Sequence, residues 1–160
     1  MAESRLYQKI EDFLKNTELK SAEKKELVLG VVGNALVENA AANGIDIRGF
    51  SHSLDSFFVN HALNNHGYEK LEEQRGNVHI TIEDIKNIPE VLQTPDFIIY
   101  SSKTKVGNKA IVFVKNIKDS TIFVEEVRKG RMRLAAQTLY KLPQDVRCII
   151  HKRCPRTLRP

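Results

Sequence analysis

Hydrophobic positions recur at helical spacing in the first part of the chain. Leu6, Ile10, Phe13 and Leu14 follow an i, i+3, i+4 rhythm that predicts one helix. Leu27, Val28, Val31, Val32, Ala35 and Leu36 continue the rhythm and predict a second, with Ser21 as cap and Asn43-Gly44 as stop. Gly30 and Gly33 interrupt that series, and either weaken the helix or admit a close neighbour. A third helix is expected from about Ser53 to Asn65, stopping at Gly67, with Leu54, Phe57, Phe58 and Leu63 inward. Glu69 to Asn77 is polar and reads as a loop. Thr81-Ile82-Glu83-Asp84 has the form of a capping box, opening a short helix that ends before Pro89 or Pro95.

From Asp96 the period shortens. Phe97–Tyr100, Ala110–Val114 and Thr121–Val124 are β-rich runs, separated by turn signals at Val106-Gly107-Asn108 and Lys118-Asp119-Ser120. On the third run, alternation places Ile122, Val124, Glu126 and Arg128 on one face and Phe123, Glu125 and Val127 on the other. Arg131 to Lys141 suits a helix by its Leu-Ala-Ala-Gln and a strand by its Thr-Leu-Tyr. A strand is assigned, because three strands alone would make a narrow sheet. The expected fold is α+β, with N-terminal helices packed on a four-stranded antiparallel β-meander. Its expected parts are a helical extension over 1–44, a central domain over 45–143 and a basic tail over 144–160.

Composition narrows the class. The chain has 160 residues, 41% hydrophobic and 28% charged, enough to bury a core without staples. No apolar run approaches the roughly 20 residues of a membrane span, and the charged N-terminus lacks a signal-peptide core. Cys148 and Cys154 suit neither a disulfide scaffold nor a zinc site. The net charge of +5 is concentrated in the tail, where Lys141, Arg147, Lys152, Arg153, Arg156 and Arg159 face the single acid Asp145. That asymmetry favours nucleic acid over a membrane as partner, or else marks a solvated end.

His61 and His66 are the first candidates for chemistry. Five residues apart on a regular helix means about 140° of rotation, so His66 must occupy the last turn beside Gly67 if the two are to meet. A packed inner His61 and a terminal His66 could supply a base and an acid, or could be a core histidine and a cap. Thr138 and Tyr140 share a strand face, and Lys141 follows where the chain reaches Leu142-Pro143. Lys115, Glu126 and Arg128 read first as surface ion-pair residues. There is no P-loop, no H-E-x-x-H, no G-x-S-x-G and no Asp-rich calcium loop. The spacing of His52, His61, His66 and His79 matches no zinc pattern, so neither a metal nor a cofactor is implied.

Together these residues resemble a known family. Ser53-Leu-Asp55, His61-x4-His66-Gly67, Glu73, Ile80-Thr-Ile-Glu-Asp-Ile85, Ile88-Pro89, Asp96, Glu126 and Thr138-Leu-Tyr-Lys141 are similar to the phage-type barnase–EndoU–colicin–RelE nucleases. The resemblance runs from Asp46 to Lys141 and is closest to barnase/colicin-like endoribonuclease domains of phage and mobile-element proteins. It implies helices against a four-stranded sheet and a metal-independent, toxin-type endoribonuclease. In that chemistry the ribose 2′-hydroxyl attacks phosphorus and leaves a 2′,3′-cyclic phosphate. By position, His61 and His66 would be acid and base, Thr138 and Tyr140 phosphate donors, and Lys141 or Lys115 a counter-charge. Lys115, Glu126 and Arg128 would help to hold RNA, and the basic charge of the tail adds Lys152, Arg153 and Arg156, with tRNA among the candidates. A cognate inhibitor protein is the other implied partner, and the cytoplasm, the protein's own or a target cell's, is the implied place of action. The competing classes are an inactive RNA-binding module and a protein-interaction domain derived from such a nuclease.

Overall fold

The computed structural model describes residues 2–16, 23–101, 108–116 and 119–143. Its strands are β1 (Glu26–Val31), β2 (Ser51–Asp55), β3 (Phe97–Ser101), β4 (Ala110–Asn116), β5 (Ser120–Arg128) and β6 (Arg133–Leu142). They form one sheet in the order β1-β2-β6-β5-β4-β3. From β3 to β6 each strand pairs antiparallel with the next. The ambiguous Arg131–Lys141 segment is thus a strand. β2 then adds to the outer edge of β6 in parallel, and β1 pairs antiparallel with β2.

The α+β class holds, but the sheet has six strands where four were expected. The two additional strands lie where helices were expected. Leu27 to Val31 is extended, because Gly30 adopts φ +154° and the β1–β2 register shifts there, as at a β-bulge. Val28 and Val31 favour a pleated strand once β2 offers a partner. The helix expected from Ser53 starts at Ser56 instead, since Asp55 Oδ1 accepts from Phe58 N at 2.7 Å and caps it.

The helices are α1 (Ala2–Asn16), α2 (Asn34–Ala42), α3 (Ser56–His66), α4 (Glu69–Gln74), α5 (Ile82–Lys86) and α6 (Ile88–Gln93). The Asn43-Gly44 stop is realised: Asn43 caps α2 and Gly44 takes φ +77°. Thr81 and Asp84 form the expected capping box at α5. The polar stretch after Gly67 is not a loop but the short helix α4, with Glu69 and Glu72 in its first turn where the helix dipole favours acids. The Ser21 cap expected in the sequence lies outside the described residues.

One apolar cluster takes side chains from both sides of residue 44, from Ile10, Leu29 and Ala40 to Phe58, Phe113, Phe123 and Leu139. Phe58 stacks edge-on against Phe123 at 5.9 Å and so anchors α3 to the sheet. Phe57, expected inside, is 48% exposed. Phe123 and Val127 join this cluster, while Ile122 and Val124 join a smaller one with Val114 and Leu142. The two faces of β5 are therefore divided as strand alternation requires. Among the described residues, no helix is long and apolar enough to cross a membrane.

Candidate active site

The last turn of α3 brings the two candidate histidines together. The rings of His61 and His66 lie 6.0 Å apart, edge to face. His66 is the final residue of α3, and Gly67 allows the chain to leave it tightly. A Cβ at position 67 would sit 2.2 Å from Leu63 O, so only glycine fits. Ile80 N then donates to His66 O at 2.6 Å and pins the helix end from the next segment.

Their environments are the reverse of those expected. His61 is exposed, whereas the His66 side chain is only 18% exposed. Partial desolvation, followed by the charge of the facing His66, holds the His61 imidazole below its ordinary pKa of 6.5. Asn65 places its amide nitrogen 2.7 Å from His61 Nδ1. A half-turn of that amide would present its oxygen to the ring instead.

His66 is held by a carboxylate. Its Nδ1 lies 3.1 Å from Oε2 of Glu72, which has no solvent exposure. Arg75 Nη1 donates to Glu72 Oε1 at 2.7 Å, and Asn77 Nδ2 donates to Oε2 at 3.0 Å. Burial alone would raise the Glu72 pKa, but the hydrogen bonds from His66, Asn77 and Arg75 outweigh it and hold the carboxyl below the usual range. Arg75 Nη1 also donates to Asn65 O at 2.8 Å, tying α4 back to α3.

β6 supplies the opposite wall. The Tyr140 ring lies 6.1 Å from that of His66. Thr138 stands two residues back, and the pairing of Ile122 with Tyr140 and Val124 with Thr138 puts both on one face. Lys141 is next to Tyr140 in sequence, but its Nζ is engaged by Asp84 Oδ2 at 3.0 Å. Its carbonyl accepts from Val78 N at 2.9 Å, so the free edge of β6 is closed beside the histidines.

The other candidates are not gathered here. Lys115 Nζ donates to Thr94 O and Oγ1 at 2.7 and 3.0 Å, two strands away on β4. Glu126 is buried and pairs with Arg128 Nε at 3.2 Å. Glu126 is four residues along β5 from the partner of Tyr140, about 13 Å at ~3.3 Å per residue. Lys152, Arg153 and Arg156 lie outside the described residues. Among the described residues no three His, Cys, Asp or Glu side chains converge as metal ligands do.

Glu72, Arg75 and Asn77 escaped the sequence reading. They sit in a polar run with acids at 69, 72 and 73, and no spacing rule singles out the one that turns inward. A second buried pair was also missed, His52 with Glu125, whose atoms approach to 2.8 Å across β2 and β5. It borders a cavity of about 400 Å³ among α1, β1, α2 and α6.

The model of a family described as phage-Barnase-EndoU-ColicinE5/D-RelE like nuclease3 matches residues 30–146. The chain belongs to that nuclease family. No curated protein and no solved structure matches it. The match to this barnase–EndoU–colicin–RelE-like family covers β1 through β6 apart from the first residues of β1. It includes every residue of the cluster around His66. A nuclease-type function follows at that coarse level.

Proposed function

We propose that this chain is a metal-independent endoribonuclease of toxin type, acting at the end of α3 against β6. The observation that carries the reading is that the His66 ring lies between two others, 6.0 Å from that of His61 and 6.1 Å from that of Tyr140. Transesterification of RNA needs a group to take the 2′-hydroxyl proton and another to protonate the departing 5′-oxygen. It also needs donors near the phosphate oxygens as charge builds there. The two imidazoles supply the first pair. The Tyr140 phenol and the Thr138 hydroxyl, on one face of β6, supply donors.

The step balances without water or metal. The 2′-oxygen bonds to phosphorus, the P–O5′ bond breaks, one histidine gains a proton and the other loses one. The product ends are a 2′,3′-cyclic phosphate and a free 5′-hydroxyl. Lys141 stands beside this site but is paired with Asp84, so its charge is shared rather than wholly available. The substrate partner is RNA, and the place of action is a cytoplasm that contains it. A cognate inhibitor is the protein partner that a toxin of this type requires.

Purified protein incubated with RNA in EDTA tests the reading. Cleavage leaving 2′,3′-cyclic phosphate ends is expected. Cleavage that stops in EDTA and returns with magnesium or zinc would overturn it.

A further inference from the structure

Glu72 is a fully buried carboxylate in an otherwise exposed helix that leaves even Leu71 partly in water. α4 could bury an apolar side chain at that position at lower cost, since a charge removed from water must be repaid by hydrogen bonds. Three donors surround it: Arg75 Nη1 on one oxygen, Asn77 Nδ2 and His66 Nδ1 on the other. The hydrogen bonds from His66, Asn77 and Arg75 together hold its pKa below the usual carboxylate range despite burial. The remaining direction of the carboxylate is aimed at one nitrogen of one candidate histidine.

We propose that Glu72 is a positioning residue that retains the Nδ1 proton of His66, orients its ring, and makes His66 the proton donor to the departing 5′-oxygen. This rests on the nuclease reading above and assigns the two histidines their separate roles. An imidazole whose Nδ1–H is held by a carboxylate presents Nε2 outward, and the carboxylate stabilises the cationic ring that carries a proton there. The groups against His66 are Glu72 from α4, Tyr140 from β6 and His61 on its own helix, and Arg75, just past α4, reaches it through Glu72. Glu72 is the acid in direct contact with it. His61 has Asn65 rather than a carboxylate beside it; with the Asn65 amide oxygen turned to Nδ1, the His61 Nε2 is left unprotonated and takes the 2′-hydroxyl proton.

The test is Glu72→Gln in the full chain, with the exposed neighbour Glu73→Gln as control. Nitrogen-15 ring spectra of wild type should show a protonated His66 Nδ1 even when the ring is neutral. Glu72→Gln should lose that proton from Nδ1, and Glu73→Gln should keep it. In RNA cleavage, Glu72→Gln should lower kcat at least about thirtyfold and change KM less than about threefold, while Glu73→Gln changes neither. An unchanged His66 spectrum or an unchanged kcat in folded Glu72→Gln overturns the proposal. If that variant does not fold, the wild-type spectrum decides, because an unprotonated Nδ1 in the neutral ring is incompatible with the assigned role. A wild type that cuts no RNA defeats the nuclease reading, while the ring spectra still report separately on the Glu72–His66 pair.

Discussion

His52 Nδ1 lies 2.8 Å from Oε2 of Glu125, a carboxylate with no solvent exposure, on strands separated by β6. Burial raises the Glu125 pKa above its ordinary 4.5, and the charge and hydrogen bond of His52 oppose that rise. The folded chain therefore holds this proton more tightly than the unfolded chain does. Its contribution to stability is complete below pH 4.5 and is lost as pH climbs through the folded value. His52→Ala removes the opposing influence and strands the carboxylate. Urea unfolding should show a loss of about 3 kcal/mol at pH 8 and a smaller one at pH 5. Equal losses at the two values would mean that Glu125 is not the group responsible.

Glutamine at either candidate histidine should separate rate from folding. Acid–base assistance is worth about 10²–10⁴ in rate, so His61→Gln and His66→Gln should each cleave RNA at least a hundredfold more slowly. Glutamine at position 66 keeps a polar partner for Glu72, and position 61 is exposed, so melting temperatures should fall little. Wild-type rates in both variants would move the chemistry to Thr138, Tyr140 and the lysines.

Gly67→Ala tests the turn that brings the histidines together. The added methyl would meet Leu63 O at 2.2 Å, and backbone cannot give way as a flexible side chain does. A loss of about 1–3 kcal/mol is expected from thermal or urea unfolding. A fully stable variant would show that the end of α3 relaxes freely.

Phosphate contacts by the tail should appear in the salt dependence of RNA binding. Replacing Lys152, Arg153 and Arg156 together by Ala should flatten the plot of log affinity against log salt by about two to three in slope. An unchanged slope would leave the tail as a solvated end.

The sequence alone carried the α+β class, the strands β3 to β6, the capping box at Thr81 and Asp84, and the family resemblance. These are legible because capping and strand alternation are local properties. It also named His61 and His66, which meet at the end of α3, and Tyr140, whose ring lies against His66, with Thr138 on the same face of β6.

Tertiary structure decided the rest. Leu27–Val31 satisfies a helical spacing, yet it becomes a strand because β2 offers hydrogen-bond partners and Gly30 permits the bulge. The two glycines that weakened the helix pattern were the local sign of this, one in the bulge and one at the cap of α2. Glu72 and Glu73 are chemically identical neighbours. Only the packing of α4 on α3 turns the first toward His66 and leaves the second in water. Helical and strand periods report what a segment does with its own neighbours, whereas the partners of a buried charge come from distant parts of the chain. His52 and Glu125 meet 73 residues apart for that reason.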